Sequence, residues 1–391
     1  MERRKSVEES VEAPASEALV REKLPPCRHF LSTGSTLLDL AVSDRYPGGV
    51  GTGRVTQIVG DNSTAKTCVM REILGAAQRL GGYAIECDAE YTPDFIRAGL
   101  FGLKVGKWAD EETELANIDL PLAEAVAADP KYCYRHPESV EGVFDREIGI
   151  AAQMATGQII DYTVDARGKT KAKETKVTPL PKPIAIGIDT FTALPSEAEQ
   201  KQGLDAASYR MERAKAMSAG FRKWLGVVAR NDVAIIAVDH IRSAVGVTFG
   251  PDWTTSGGKA MQQYASTRIF LAHSGAIKNG RDMEVGIWVR AKIIKNKLAP
   301  PFREVRFAVM FDYGIDDIRS NLDWLRVQKD LETKLKLQGS WFCWGEEKLG
   351  NGIENAIAGV ELRGLEAELA TEVARAWKEL YAPSDRKPRE H

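Results

Sequence analysis

A short polar loop between two regular segments carries the residue types that hold the phosphates of a nucleotide. GDNSTAKT (60–67) directly follows RVTQIVG (54–60), a β-branched run that predicts a strand, and it opens KTCVMREILGAAQRL (66–80), which has helical spacing. In such a loop the backbone N–H groups and the helix N-terminus contact phosphate oxygens, a lysine neutralises the β and γ phosphates, and a hydroxyl holds Mg²⁺. We assign the last two roles to Lys66 and Thr67. The predicted ATP-binding residues of the loop are Gly60, Asp61, Asn62, Ser63, Thr64, Ala65, Lys66, Thr67 and Cys68.

The loop departs from the general pattern at its sixth position. Ala65 stands where the pattern G-x-x-x-x-G-K-S/T has glycine, and its methyl group adds steric demand where the backbone approaches phosphate. Every charged and donor element is retained. A chance occurrence of these letters is the alternative, and the strand–loop–helix context makes it the weaker interpretation.

Two acidic residues at predicted strand ends support the same chemistry. IAIGID (184–189) ends in Asp189, which is placed to orient Mg²⁺ through water, and YAIECDAE (83–90) ends in Glu90, which is placed to act as general base toward a water. Each carboxylate alone is more often a turn or solvated residue. Because the carboxyl ends of parallel strands meet at one edge of a sheet, their joint occurrence with the loop predicts a nucleotide site.

The elements around these residues predict an α/β fold with a mostly parallel central sheet. Strand, helix and strand within residues 54–90 form a βαβ unit, and near-continuous apolar runs of this kind are typical of buried parallel strands. Further strands are predicted at 184–189, 233–240 and, after Gly258, in three consecutive runs, TRIFLAHSG, EVGIWVRAKIIKN and EVRFAVMFDYG; helices are predicted at 138–154 and 205–231.

Composition shifts divide the chain into three predicted parts. Residues 1–30 form a charged arm outside the core, 31–315 form the core, and 316–391 form a small C-terminal domain whose composition is helical. Two inserts interrupt the core. The segment 104–136 shows no clear period, and the lysine- and proline-rich segment 161–183 is expected to be a mobile loop.

The overall composition narrows the class of protein. The chain has 391 residues with a formal net charge of −2, and no apolar run approaches the roughly 18 residues that a membrane span needs. The N-terminus has no apolar signal-peptide core, so we expect a cytoplasmic protein with no membrane partner. Five scattered cysteines without a C-x-x-C pair indicate neither a zinc module nor a disulfide framework. The balanced net charge neither indicates nor excludes a nucleic-acid partner, because phosphate is bound by local charge.

Several motifs in order give the chain a resemblance to the RecA family of bacterial and phage recombinases. STGSTLLDLAV (32–42) resembles the segment that precedes the family's phosphate loop, and CDAE, IGIDT, AKIIKNKLAPPF (291–302) and SWFCWGEEKLGNG (340–352) follow in the family's order. The resemblance covers most of residues 32–380. It implies a RecA-like P-loop NTPase core with a small C-terminal α/β domain. It also implies a DNA-dependent ATPase that uses ATP and Mg²⁺, assembles with itself as a helical filament on single-stranded DNA, and exchanges strands with homologous duplex DNA.

The same resemblance assigns roles to individual residues. Lys66 and Thr67 match the Walker A lysine and Mg²⁺ ligand, Asp189 the Walker B acid and Glu90 the catalytic glutamate. Lys295 and Lys297 match the pair that, in the family, reaches the γ phosphate across a protomer interface. From spacing alone, these two lysines indicate no more than a charged edge strand.

Two segments resemble the DNA loops of the family. The second loop begins at Ile241 and includes GVTFGPDWTTSGGKAMQQYASTR (246–268), in which aromatic residues could stack on bases and glycine amides could approach phosphates. The first lies near 197–213 and leads into a helix with a basic stripe. A linker and a solvated helix face are the alternatives. The predicted DNA-binding residues are Lys215, Arg222, Arg242, Phe249, Trp253, Gly257, Gly258 and Lys259.

Departures from the family keep two other functions open. His240 stands where the family typically has the glutamine that senses the γ phosphate, so we add it to the ATP-binding residues, and Gln263 replaces a phenylalanine. The aromatic residue that stacks on adenine could be Tyr91 or Phe95. The alternatives are a non-catalytic paralogue that regulates a recombinase filament and a DNA-dependent P-loop ATPase motor without strand exchange. The retained Glu90 argues against the first, and the SGGK loop and C-terminal domain argue against the second.

Overall fold

The computed structural model of the chain describes residues 27–106, 120–129, 131–164, 170–201, 209–243, 253–255 and 258–382. Most of the predicted arm therefore lies outside the described residues. The described chain begins at residue 27 and leads into the short strand Phe30–Leu31 (β1), which pairs with Val50–Gly51 (β2). Among the described helices, none is both long and apolar enough to cross a membrane.

A nine-stranded path of neighbouring strands forms the central sheet, and its middle is parallel. The order is β14-β13-β12-β11-β3-β9-β8-β4-β5, with β10 paired to β9. Strands from β11 through β5 run parallel, and β11 to β14 continue as antiparallel neighbours. The strands are β3 (Val55–Gly60), β4 (Tyr83–Asp88), β5 (Tyr132–Arg135), β8 (Ile184–Asp189), β9 (Val233–Ser243), β10 (Trp253–Thr255), β11 (Thr267–Lys278), β12 (Glu284–Asn296), β13 (Glu304–Met310) and β14 (Gly314–Asp316).

Helices cover the sheet, so that its parallel strands are buried on both faces. β3, β4 and β8 are buried along their whole length, as their apolar runs predict. The helices of the core are α1 (Thr36–Ser43), α2 (Lys66–Arg79), α3 (Phe95–Leu100), α4 (Leu122–Ala128), α5 (the consecutive turns Val140–Gly142, Val143–Ile148 and Gly149–Met154, the middle one π-helical), α6 (Glu197–Lys201), α7 (Tyr209–Arg230) and α8 (Gly258–Tyr264). The α/β fold with a mostly parallel sheet is confirmed.

The C-terminal region combines helices with a sheet of its own and packs on the core. The antiparallel strands β15 (Leu335–Gln338), β16 (Trp341–Trp344) and β17 (Glu347–Asn351) lie among the helices α9 (Asp317–Val327), α10 (Ile353–Arg363) and α11 (Glu366–Leu380). Trp377 donates its indole N–H to Asp44 at 3.1 Å, and Arg303 donates to the same carboxylate at 2.7 Å. The Trp377 bond joins α11 to the end of α1. The small C-terminal α/β domain is confirmed, although its composition alone indicated helix.

The expectation of a mobile loop over 161–183 was wrong. Within the described part of 161–183, the expected mobile loop is an antiparallel hairpin of β6 (Gln158–Val164) and β7 (Thr170–Lys176). Residues 171–176 are all exposed, so β7 has no apolar alternation that would mark it as a strand. The segment 104–136 contains α4 and the edge strand β5, whose tyrosines are buried with their hydroxyls bonded to Glu86 and Asp88.

Candidate nucleotide site and DNA-facing segments

The phosphate loop connects β3 to α2 and is closed by its own hydrogen bonds. The ammonium group of Lys66 donates to the backbone carbonyl of Asp61 at 2.6 Å, and the hydroxyl of Thr64 donates to the same oxygen at 2.8 Å. Lys66 is buried, and this burial lowers its pKa against the opposing charges of Asp189 and Glu90. The lysine is thus held at the floor of the loop, where a phosphate chain would replace the carbonyl as its partner.

Two non-glycine residues of the loop have left-handed backbone conformations. Ser63 has φ 56° and Ala65 has φ 63°. This region places Cβ close to the following carbonyl and costs roughly 1–2 kcal/mol for such a residue. Close approach of phosphate is one reason for the glycine of the general pattern. The structure adds a backbone reason, because Ala65 adopts the conformation that glycine adopts without strain.

Thr67 and Asp189 meet directly below the loop. The Thr67 hydroxyl donates to the Asp189 carboxylate at 2.6 Å across the edge of the sheet. Burial raises the pKa of Asp189 to about 7; the Thr67 hydrogen bond opposes this rise, and the nearby negative charges of Glu90 and other carboxylates add to it. Among the described residues, no cluster of three or more His, Cys, Asp or Glu could hold a metal ion. One hydroxyl and one carboxylate fit Mg²⁺, which binds few protein oxygens and completes its shell with phosphate and water.

Glu90 lies beside His240 at the same edge. Its backbone N–H donates to Asp88 at 2.8 Å, which fixes the turn after β4, and its carboxylate lies 3.2 Å from Nε2 of His240 in β9. Residues from the ends of β4 and β8 and from β9 beside Gly60 therefore converge on the loop, as the parallel sheet predicts. They share a pocket of about 410 Å³. Of the predicted ATP-binding residues, Asn62, Ser63, Thr64, Ala65, Lys66, Thr67, Cys68, Asp189 and His240 line it, together with Glu90; Gly60 and Asp61 are in the loop behind it.

An apolar pocket of about 470 Å³ adjoins the phosphate loop, and no motif in the sequence predicts it. Phe101, Phe311 and Arg97 line it, along with loop residues of the first pocket. Neither aromatic residue proposed for adenine lines it. The ring of Tyr91 packs on His136 with centroids 4.5 Å apart, and that of Phe95 packs on Tyr134 at 5.0 Å. No sequence signal links Phe101 to Phe311, since only the folded sheet brings them together.

Lys295, near the end of β12, and Lys297, just after it, lie away from this pocket. Lys295 donates to the carbonyls of Gln262 and Gln263 at 2.7 and 2.9 Å, which joins β12 to the end of α8. Burial lowers the pKa of Lys295, and the positive charges of Lys297 and Arg268 lower it further. Lys297 is exposed. Neither lysine lines the nucleotide pocket of its own chain, so their role toward a neighbour stays a prediction.

The segments that the sequence predicts to bind DNA are described only in part. Lys215 and Arg222 are exposed on α7, and Lys215 pairs with Glu212 at 2.7 Å. Arg242 lies opposite Thr254 in the β9–β10 pairing. Trp253 lies opposite Ser243 in the same pairing, and α8 begins with Gly258 and Lys259. Phe249 and Gly257 lie outside the described residues. β9 thus runs from the nucleotide site directly into the second segment, and the DNA-binding assignments stay predictions.

A phosphate loop between a central parallel strand and a helix, with acidic residues on the neighbouring strand ends, defines a P-loop nucleotide-binding protein of the α/β class. The RecA N-terminal domain family matches residues 21–125 and 184–316. The chain is 33% identical over 327 residues to Protein RecA of Rubrobacter xylanophilus, which is 83% of this chain and 77% of that protein. It is 31% identical over 338 residues to Protein RecA of Citrifermentans bemidjiense, with 86% and 82% covered. The chain belongs to the RecA family, as its motifs predict. The family match skips residues 126–183, and this segment contains the β6–β7 hairpin.

Proposed function

We propose that this chain is an ATP-dependent DNA recombinase that forms filaments on single-stranded DNA and exchanges strands with homologous duplex DNA. The observation that carries the proposal is the convergence of Lys66, Thr67, Asp189 and Glu90 in one pocket of a RecA-family fold. Lys66 and the loop amides bind the phosphates, and Thr67 and Asp189 hold Mg²⁺. When bound, Mg²⁺ neutralises charge on the β and γ phosphates.

We place the adenine base in the apolar pocket beside the loop. Phe101 and Phe311 offer aromatic faces there, and the guanidinium of Arg97 can stack on a base. Because this pocket shares loop residues with the phosphate pocket, one nucleotide can occupy both. The residue pair Tyr91 and Phe95 is already packed against other rings and is replaced in this assignment.

Glu90 acts as the general base in this proposal. It takes a proton from the attacking water while the water oxygen bonds to the γ phosphorus. The bond from that phosphorus to the bridging oxygen breaks, and ADP leaves with the electron pair. Lys295 and Lys297 of a neighbouring protomer stabilise the charge that develops on the transferred group, so that hydrolysis depends on assembly. The DNA lies against the segments that follow β8 and β9.

The test is phosphate release with and without single-stranded DNA. We expect DNA to stimulate ATP hydrolysis and Lys66→Ala to remove it, while Lys329→Ala, an exposed lysine of the C-terminal domain, leaves it unchanged. Absence of turnover in the intact protein would contradict the enzyme assignment and favour a regulatory paralogue. A strand-exchange assay with homologous and heterologous duplex then separates a recombinase from a motor, which would hydrolyse ATP without exchanging strands.

A further inference from the structure

The carboxylate of Glu90 lies against the imidazole of His240. Nε2 of His240 lies 3.2 Å from Oε1 of Glu90, and the two side chains are 35% and 37% exposed. β9 fixes the histidine, because His240 lies opposite Gly60, where the phosphate loop begins. The backbone N–H of Glu90 donates to Asp88, which fixes the glutamate. Both partners are therefore anchored on the sheet edge, and their contact is part of the site.

We propose that His240 is a positioning residue that orients Glu90 and makes ATP hydrolysis respond to pH. The proposal rests on the proposed function, in which Glu90 is the base. A neutral imidazole that carries its proton on Nε2 donates to the carboxylate and aims it, and the carboxylate remains able to accept a proton from water. A protonated imidazole forms an ion pair with it instead, and the added positive charge opposes that proton transfer.

Other charged groups face the same point and remain when His240 is replaced. Lys66 on α2 and Asp189 at the end of β8 both interact electrostatically with Glu90. Asp88, on the turn that carries Glu90, contributes a further negative charge to the pocket. A fall of turnover at low pH, the acid limb of the pH profile, would persist in a His240 variant if any of these groups caused it. A limb caused by His240 would not.

The enzymatic test compares the pH dependence of kcat in the intact protein with DNA present. We expect protonation of the imidazole to lower turnover by about tenfold per pH unit on the acid side of the profile. Glutamine can donate in place of the imidazole but does not titrate. His240→Gln should therefore stay active and move the acid limb down by at least about one pH unit. His273→Gln, an exposed histidine on β11, is the control and should leave the profile unchanged.

Two results would overturn the inference. An unchanged acid limb in His240→Gln would assign the limb to another group, Asp189 above all. Loss of turnover in that variant at every pH, with nucleotide affinity retained, would mean that the imidazole does more than position Glu90.

A second measurement needs neither nucleotide nor turnover. The ¹⁵N shifts of a histidine ring report which nitrogen carries the proton, and the signals of His240 among the five histidines are assigned by their loss in His240→Gln. Above the titration range we expect Nε2 to carry the proton in the intact protein, and Glu90→Ala to give a mixture of tautomers. A mixture in the intact protein would contradict the contact. Because this readout is independent of hydrolysis, it separates failure of the inference from failure of the proposed function.

Discussion

The C-terminal domain pairs its charges with one another, whereas the phosphate-loop edge holds charges for a ligand. In the C-terminal domain, Arg319 donates to Asp316 at 2.9 Å and to both oxygens of Glu354 at 2.8 and 2.7 Å. The hydrogen bond from Arg319 lowers the pKa of Glu354, as a stabilising partner does. At the loop edge, burial shifts the pKa of Asp189 upward and that of Lys66 downward, and each shift disfavours the charged form.

Backbone conformation follows the same division. Ser63, Ala65 and Tyr91 at the loop edge have positive φ, and none of them is glycine. In the C-terminal strands and helices from 335 to 380, the positive φ values that occur belong to glycines. Of the seven described non-glycine residues with positive φ, three therefore lie where the nucleotide is expected to bind. A binding site can tolerate these costs because the ligand's phosphates and metal offset them.

The largest expected effect that would sharpen this comparison is on turnover at the loop edge. Glu90→Gln removes the proposed base but keeps the shape of the side chain, so we expect DNA-stimulated hydrolysis to fall about 10³-fold. The melting temperature and the affinity for ATP should stay near those of the intact protein. Phosphate release measures turnover, and a fluorescent-nucleotide titration measures the affinity for ATP. Glu304→Gln, an exposed carboxylate on β13, is the matched control.

A smaller effect on turnover tests whether the site is completed by a neighbour. Lys295→Gln keeps a donor for the α8 carbonyls but removes the charge, so hydrolysis should fall about 10²-fold while ATP still binds. The sharper experiment mixes this variant with Lys66→Ala. Each protomer then supplies what the other lacks at one interface, and hydrolysis should partly recover. No recovery in mixed filaments, or a loss of nucleotide affinity in Lys295→Gln alone, would argue against a role across the interface.

In the C-terminal domain the expected effect is on stability. Arg319→Ala leaves the poorly exposed carboxylate of Asp316 without its partner, so the free energy of unfolding should fall by about 3 kcal/mol. ATP hydrolysis at permissive temperature should be unchanged. Lys334→Ala is the control, because the side chains of Lys334 and its partner Glu368 are 55% and 44% exposed, so its loss of stability should be much smaller. Equal losses in denaturant titrations of the two variants would undo the contrast between buried and exposed pairs.

The smallest expected effect tests the strain in the loop. Ala65→Gly relieves the left-handed conformation and should raise the free energy of unfolding by about 1 kcal/mol. The same substitution at Ala76, inside α2, should lower it by about 1 kcal/mol, because glycine is less favourable than alanine in a helix interior. Thermal denaturation of the two variants gives the comparison. A loss of stability in Ala65→Gly would show that the loop is not strained.

The sequence predicted the parts of the site whose residues are local to strand ends. The phosphate loop, Asp189 and Glu90 follow apolar runs, so their common edge could be inferred from parallel strands alone. The adenine pocket could not, because Phe101 and Phe311 come from distant parts of the chain. β5 was missed because it is only four residues long, Tyr132–Arg135, and shows no alternation of apolar and polar residues. β7 was missed because backbone pairing with β6, rather than burial, defines it.

The order of strands in the central sheet also has a consequence for how the protein is made. β3 carries the phosphate loop, and its two neighbours, β9 and β11, both come from later in the chain. During synthesis, β3 therefore remains unpaired with β9 and β11 until most of the core has emerged from the ribosome. Pairing across such separations is slow and exposes apolar edges to other nascent chains. The nucleotide site is consequently among the last features to form during synthesis, and its first-made strand is the one that a chaperone would need to shield.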